Sequence, residues 1–124
     1  MARRRNSMLQ ALELFRAMDP GLVITDLVVF LYACENEGLN VKELAMVARL
    51  TEATASRRAR ALGEPDAPGA MSPAVGLLEA VQGDDGRARL IYLTEKGRRV
   101  RDQLQQIINA SDPITSRTRA SEAA

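Results

Sequence analysis

Gly83-Asp84-Asp85-Gly86-Arg87-Ala88-Arg89-Leu90-Ile91-Tyr92-Leu93-Thr94-Glu95-Lys96-Gly97 is the stretch whose reading decides the fold. A Gly-Asp-Asp-Gly turn with alternating side chains around it predicts a β-hairpin, with strands over 77–82 and 87–93. In the second strand Ile91 and Leu93 fall on one side and Tyr92 on the other, so one edge can anchor in a core while the arginine-bearing tip stays free. Thr94 then caps a final helix, on which Val100, Leu104, Ile107 and Ile108 form an apolar stripe. A basic hairpin running into a capped helix reads as a wing, and a wing directs attention to the helix before it.

That helix is predicted over about 52–62, with Thr51 as its N-cap. Ala55, Ala59 and Leu62 stand at i, i+4 and i+7 and face inward as a narrow, small-residue stripe. The opposite face carries Ala53, Ser56, Arg57 and Arg60, with Thr54 on its flank. A guanidinium presents two parallel donors to guanine O6 and N7 in the major groove, and the hydroxyls can bond bases or phosphates. An arginine at a wing tip suits a narrow minor groove, where the negative potential is enhanced. Thr54, Ser56, Arg57, Arg58 and Arg60 on the helix, with Arg87 and Arg89 on the wing, are therefore the candidate DNA-contacting residues. Arg58 sits on the flank of the inward face, where it either reaches outward to a phosphate or takes an acidic partner.

Upstream, apolar spacing predicts a first helix over about 7–18, ended by Asp19-Pro20-Gly21. Its expected apolar face is Met8, Ala11, Leu12, Phe15 and Met18. A second helix is expected to start after Thr25 and run to about Asn36. Leu27, Phe30, Leu31 and Cys34 line one side of it, and Val28, Val29 and Tyr32 make the other side apolar too, so it should be buried nearly all round. Asn40 and Glu43 form a capping box for a short third helix bearing Val41, Leu44, Ala45 and Ala48. Gly63, Pro65, Pro68, Gly69, Pro73 and Gly76 make 63–76 a loop, long for a compact domain and expected to be mobile or functional. The fold class is thus mainly α with a small β-hairpin (α+β), a winged helix-turn-helix. A basic arm over 1–6, a domain over 7–110 and a disordered tail over 111–124 are expected.

Composition agrees with this reading and excludes others. At 124 residues, 46% hydrophobic and 27% charged, the chain suits one globular domain, since domains usually run about 100–200 residues. No apolar run approaches the roughly 18 residues that span a bilayer, and no leader pattern follows Arg3-Arg4-Arg5, so a cytoplasmic, nucleoid-associated location is expected. With a single cysteine and no histidine, neither an intramolecular disulfide nor a zinc site is expected. Cys34 has Glu35 and Glu37 nearby and no cation close in sequence to activate it, so it reads as a packing residue rather than a redox sensor. No phosphate-binding glycine loop and no pocketed carboxylate pair is apparent, and neither an enzyme nor a cofactor is expected. The near-zero net charge hides a polarity. Asp19, Asp26, Glu35, Glu37 and Glu43 oppose only Lys42 over residues 19–48, whereas arginines dominate 49–62 and 83–101.

The run Asp85-Gly86-Arg87 followed by a hydrophobic strand and Leu93-Thr94-Glu95-Lys96-Gly97 resembles the wing signature of the multiple-antibiotic-resistance regulator (MarR) family, an Asp-x-Arg, a hydrophobic strand and Leu-Thr-x-x-Gly. The resemblance covers about 8–110, with a looser match over 44–62. It implies a homodimeric transcriptional regulator on double-stranded DNA, with Arg87 as the wing arginine and Arg57 on the recognition helix. The family usually has an apolar residue where Arg58 stands, a shorter connection than 63–76, and two helices after the wing rather than one. Dimerisation would then use the first and last helices. Relatives often bind phenolic ligands between the dimer helices and the DNA-binding lobe. Two Phe, two Tyr and no Trp offer little aromatic lining, so no small-molecule effector is expected. Two other readings stay open, a winged-helix protein-protein interaction module and a DNA-associated accessory factor with weak sequence preference.

Overall fold

The computed structural model describes residues 5–84, 86 and 89–115. Five helices and one hairpin follow in the order α1 (Ser7–Met18), α2 (Ile24–Glu35), α3 (Val41–Ala48), α4 (Glu52–Ala61), β1 (Leu78–Gln82), β2 (Arg89–Leu93) and α5 (Glu95–Ala110). This is the mainly helical winged arrangement expected from the sequence.

Local capping sets most of the boundaries. Asn6, Asn40, Thr51 and Thr94 each accept a backbone N–H of the first turn that follows them, satisfying donors that a helix start leaves unpaired. Asn40 and Glu43 complete the expected capping box. The start of α2 differs from expectation: Val23, not Thr25, occupies the N-cap. Val23 has no side-chain oxygen to cap with, and Asp26 compensates by accepting the Val23 N–H at 2.9 Å.

The core gathers Phe15 of α1, Val29, Phe30 and Ala33 of α2, Leu44 of α3, Leu62, the hairpin residues Leu77, Leu78, Ile91 and Leu93, and Val100 and Leu104 of α5. Phe15 meets Phe30 edge to face with ring centroids 5.9 Å apart, a favoured aromatic geometry. α2 is not buried all round, because Ile24, Val28 and Leu31 are exposed on one edge. On α1, Leu14 packs inward while Met8 and Leu12 face out. The inward stripes are therefore narrower than the apolar residues in these helices, and each leaves an apolar remainder at the surface.

The two strands pair antiparallel from Leu78↔Leu93 to Gln82↔Arg89, and β2 has a partner on its other edge as well. Gly38 N–H donates to the Ile91 carbonyl and Ile91 N–H to the Leu39 carbonyl, both at 2.8 Å. Glu37 extends this edge by accepting the Leu93 N–H at 2.9 Å. The hairpin is thus held by the α2–α3 connection before α5 packs on it.

The 63–76 loop is fastened at its end. Leu77 and Leu78 donate to the Leu62 carbonyl at 2.7 and 3.0 Å, Gly76 to Gly63 at 2.8 Å, and Val75 to Ala61 at 3.3 Å. Lys96 of α5 donates to the Val75 carbonyl at 2.8 Å. Val75 is buried, so the segment returns to the core and carries the chain from the end of α4 to the base of the hairpin.

Candidate nucleic-acid interface

α3 and α4 form the helix-turn-helix. The turn between them is Arg49-Leu50-Thr51, with Arg49 in the left-handed region at φ 58°. Leu50 N–H reaches back to the Ala45 carbonyl at 2.9 Å, which closes α3 tightly enough for Thr51 to start α4 at once. Ala55, Ala61 and Leu62 are fully buried and Ala59 partly so. Small side chains on that face let α4 lie close to α2 and α3 and turn its other face to solvent.

The exposed face holds Ala53, Arg57 and Arg60, with Thr54 and Ser56 half-buried beside them. Thr54 receives a hydrogen bond from the Thr51 hydroxyl at 2.9 Å. Arg60 Nε donates to the Ser56 carbonyl at 3.3 Å, laying the side chain along its own helix. Arg57 has no hydrogen-bond or ionic partner among the described residues, and neither Arg57 nor Arg60 is ion-paired there.

Arg58 departs from the rest of the candidate set. Its Nη1 lies 3.1 Å from Oδ1 of Asp26, whose residue surface is 0% exposed. Of the two roles considered for this arginine, the structure supplies the acidic partner. The same carboxylate caps α2 through its other oxygen, so one buried group starts α2 and ties it to α4. Sequence reasoning missed this role of Asp26, because its signal, an acid three positions after the N-cap, was hidden by a valine at the cap.

On the wing, Gly86 N–H donates to the Gly83 carbonyl at 3.0 Å and Gly86 takes φ 72°, closing the turn as a glycine there allows. Arg89 is exposed and its Nη2 donates across the hairpin to the Ala80 carbonyl at 2.8 Å. Arg87, the expected wing arginine, lies outside the described residues, as do residues 1–4 of the basic arm and 116–124 of the tail. At the wing's base, the Thr94 hydroxyl donates to the Gly76 carbonyl at 2.6 Å and accepts the Gly97 N–H at 2.9 Å. A Cβ on Gly97 would stand 2.2 Å from the Leu77 carbonyl oxygen. The Leu-Thr-x-x-Gly run is thus the joint at which α5 closes on the hairpin backbone.

Among the described residues no helix is long and apolar enough to cross a membrane, and no cluster of three or more His, Cys, Asp or Glu side chains could hold a metal ion. Cys34 is half-buried, and its thiol is pushed up from 9.0 to about 11. Burial is the largest cause, with Glu37 and Glu35 adding to it and Arg101 opposing.

A three-helix core whose second and third helices meet at a tight turn, followed by an antiparallel wing and a closing helix, defines a winged helix-turn-helix protein. No protein-family model and no curated protein sequence matches the chain. Solved structures do. A MarR-family transcriptional regulator from Rhodococcus sp. RHA1 is 30% identical, over 77% of this chain and 62% of its own, with a TM-score of 0.54. A MarR-family regulator from Silicibacter pomeroyi is 26% identical over 85% and 63%, at 0.55. CouR from Rhodococcus jostii RHA1, bound to p-coumaroyl-CoA, is 28% identical over 77% and 62%, at 0.55. A further structure of CouR, bound to a 23-mer DNA duplex, shares the fold at 19% identity over 86% and 70%, at 0.56. In sequence and fold the chain is similar to these MarR-family regulators. It spans about three fifths of the length of the first of these relatives.

Proposed function

We propose that this protein is a transcriptional regulator that binds double-stranded DNA, with α4 in the major groove and the β1–β2 wing in the minor groove. The observation that carries the proposal is the unpaired, exposed arginine face of α4. Arg57 and Arg60 project from a capped helix and neither is ion-paired among the described residues, while Arg58 on the same helix is drawn inward to Asp26. A solvated structural helix would be expected to pair such charges along its own surface, as Arg99 pairs with Glu95 on α5 at 3.4 Å. The relationship to MarR-family regulators, and the DNA duplex carried by a CouR of the same fold, support the reading.

In this scheme Arg57 and Arg60 read base edges or grip flanking phosphates, Ser56 and Thr54 add hydroxyl contacts, and Arg87 and Arg89 serve the wing. Arg58 acts from inside, by fixing α4 on α2. The functional domain is 7–110, with no enzymatic step, and its place is in the cytoplasm on the chromosome. The protein pairs with a second copy through α1 and α5. The two helices are tied end to end by Ser7, whose hydroxyl donates to the Ile107 carbonyl at 3.0 Å, and they leave Met8, Leu12 and Ile108 exposed.

Affinity measured by fluorescence anisotropy over a series of salt concentrations tests the interface. Each phosphate contact contributes about 0.9 to the slope of log affinity against log salt. Arg57→Ala and Arg87→Ala are expected to weaken binding, and Arg58→Met to leave the slope where it was. Unchanged affinity in both Arg57→Ala and Arg87→Ala would remove the basis of the proposal and favour a protein-protein module.

A further inference from the structure

The loop over 63–76 is built rather than slack, and it closes on one of the candidate arginines. Two β-turns follow each other in it: Ala67 N–H donates to the Glu64 carbonyl and Ala70 N–H to the Ala67 carbonyl, both at 3.1 Å. Each turn has a proline as its second residue, Pro65 and then Pro68, where a fixed φ suits the bend. Gly69 is third in the second turn with φ 74°, the Pro-Gly pattern of a type II turn. The chain then returns to α4, where the Arg60 carbonyl receives the N–H of Gly63 at 3.2 Å and that of Met71 at 3.5 Å.

Arg60 is held along its side chain as well. Its Nε donates to the Ser56 carbonyl at 3.3 Å, and its stem passes over Gly69. A Cβ on Gly69 would stand 3.3 Å from Arg60 Cδ and 3.8 Å from Nη1. The first distance lies inside the roughly 3.5–4.0 Å optimum for two carbon atoms, so a side chain at this position displaces the arginine. A guanidinium has five N–H donors; with Nε spent, the end-on fork of Nη1 and Nη2 remains. Two parallel donors of that kind meet guanine O6 and N7 in the major groove. Arg57, on the same face, has no hydrogen-bond or ionic partner among the described residues.

We propose that the 63–76 loop is a specificity element of the DNA interface: it closes on Arg60 through Gly69 and holds the guanidinium as a preformed end-on fork that selects a guanine. The proposal rests on the DNA-binding reading of α4. A free arginine opposite a wrong base swings to a phosphate and recovers part of the loss. A held fork cannot, and its donors are left facing the N6 donor of an adenine. Holding it also removes the ordering cost of a long side chain, about two- to tenfold in affinity. Gly69 is thus a positioning residue, acting through Arg60.

In the test, the full chain selects duplexes from a pool randomised over about 20 base pairs, two helical turns. Fluorescence anisotropy then compares each selected duplex with one in which a single guanine is replaced by 7-deazaguanine, which pairs normally but lacks N7. Wild type is expected to select a guanine whose replacement weakens binding about tenfold. Arg60→Lys keeps the charge without the fork and is expected to be indifferent to that replacement. Gly69→Asn tolerates the positive φ but sets a Cβ against the arginine stem. It is expected to cut the discrimination to about twofold, with affinity for a shuffled duplex and its salt dependence unchanged. In the free protein, a nuclear Overhauser contact between Arg60 Hδ and Gly69 Hα is expected, and 15N relaxation of Arg60 Nε should show its order falling in Gly69→Asn. Wild-type discrimination in Gly69→Asn, a guanine preference retained in Arg60→Lys, or a missing Hδ–Hα contact would each overturn the proposal. So would equal losses of affinity for the selected and shuffled duplexes in Gly69→Asn, which would make the loop a structural support only. If the wild type retains no duplex, the DNA-binding reading falls and takes this proposal with it, whatever the resonance contact shows.

Discussion

Asp26 is buried in the core with two partners in place of water, the Val23 N–H at 2.9 Å and the Arg58 guanidinium at 3.1 Å. Removing one member of such a pair leaves an uncompensated charge, which costs about 3–5 kcal/mol when the pair is fully buried. Arg58 retains 24% exposure of its side chain, so Arg58→Met is expected to fall at or somewhat below the lower end of that range. In Asp26→Leu/Arg58→Met the two losses are expected to be less than additive, because the double variant leaves no orphaned charge. Urea unfolding of the two single variants and the double variant measures the coupling. Cys34 presents a different residue-scale consequence. Its thiol is raised to about 11 in the fold against 9.0 in the open chain. The folded state therefore holds the proton longer. The resulting stabilisation is fully present below pH 9.0 and is lost as pH rises toward about 11. Modification by a thiol reagent at neutral pH is expected to be far slower in the folded chain than in urea, and the urea midpoint of Cys34→Ala is expected to fall less steeply than that of the wild type over that alkaline window.

Elements close on one another through backbone contacts that admit no side chain, and Gly97 is the clearest case. A methyl group there would meet the Leu77 carbonyl at 2.2 Å and the Leu93 side chain at 3.3 Å, and neither can move without opening the hairpin from α5. Gly97→Ala is expected to destabilise the fold by about 3 kcal/mol or more, at or above the usual cost of overpacking, although alanine favours a helix intrinsically. A thermal melt of the variant checks this. The importance of this glycine was visible in the sequence as part of the Leu93–Gly97 run, but the carbonyl it must clear lies twenty positions earlier and was not. The same division holds elsewhere. The starts of α3, α4 and α5 were legible, because caps such as Asn40, Thr51 and Thr94 act within one turn of themselves, and apolar spacing with Asp19-Pro20-Gly21 bounded α1. The start of α2 was misplaced because its capping oxygen comes from Asp26, inside the helix. The second edge of β2 was illegible, since a single bridge at Leu39 leaves no period to detect. The loop over 63–76 was legible as irregular from its Gly and Pro content, while its fastening to the Leu62 and Ala61 carbonyls depends on tertiary closure.

At the scale of the whole molecule, charge and burial divide the candidate arginines in a way that spacing along α4 could not. Arg57, Arg58 and Arg60 lie within one turn of each other, yet one serves the core and two face solvent. The outward pair lies on α4 and Arg89 on the hairpin that follows it. A two-fold pair of these domains would set two α4 helices about 34 Å apart and require a pseudopalindromic site. Fluorescence anisotropy on a genomic fragment enriched by the protein itself, against a shuffled duplex of equal length in the same buffer, tests sequence-specific reading by this face most directly. Wild type is expected to prefer the enriched fragment by about a thousandfold or more, and Arg57→Ala to lose about 1–3 kcal/mol of that preference; equal affinity for the two duplexes, untouched by Arg57→Ala, would contradict it.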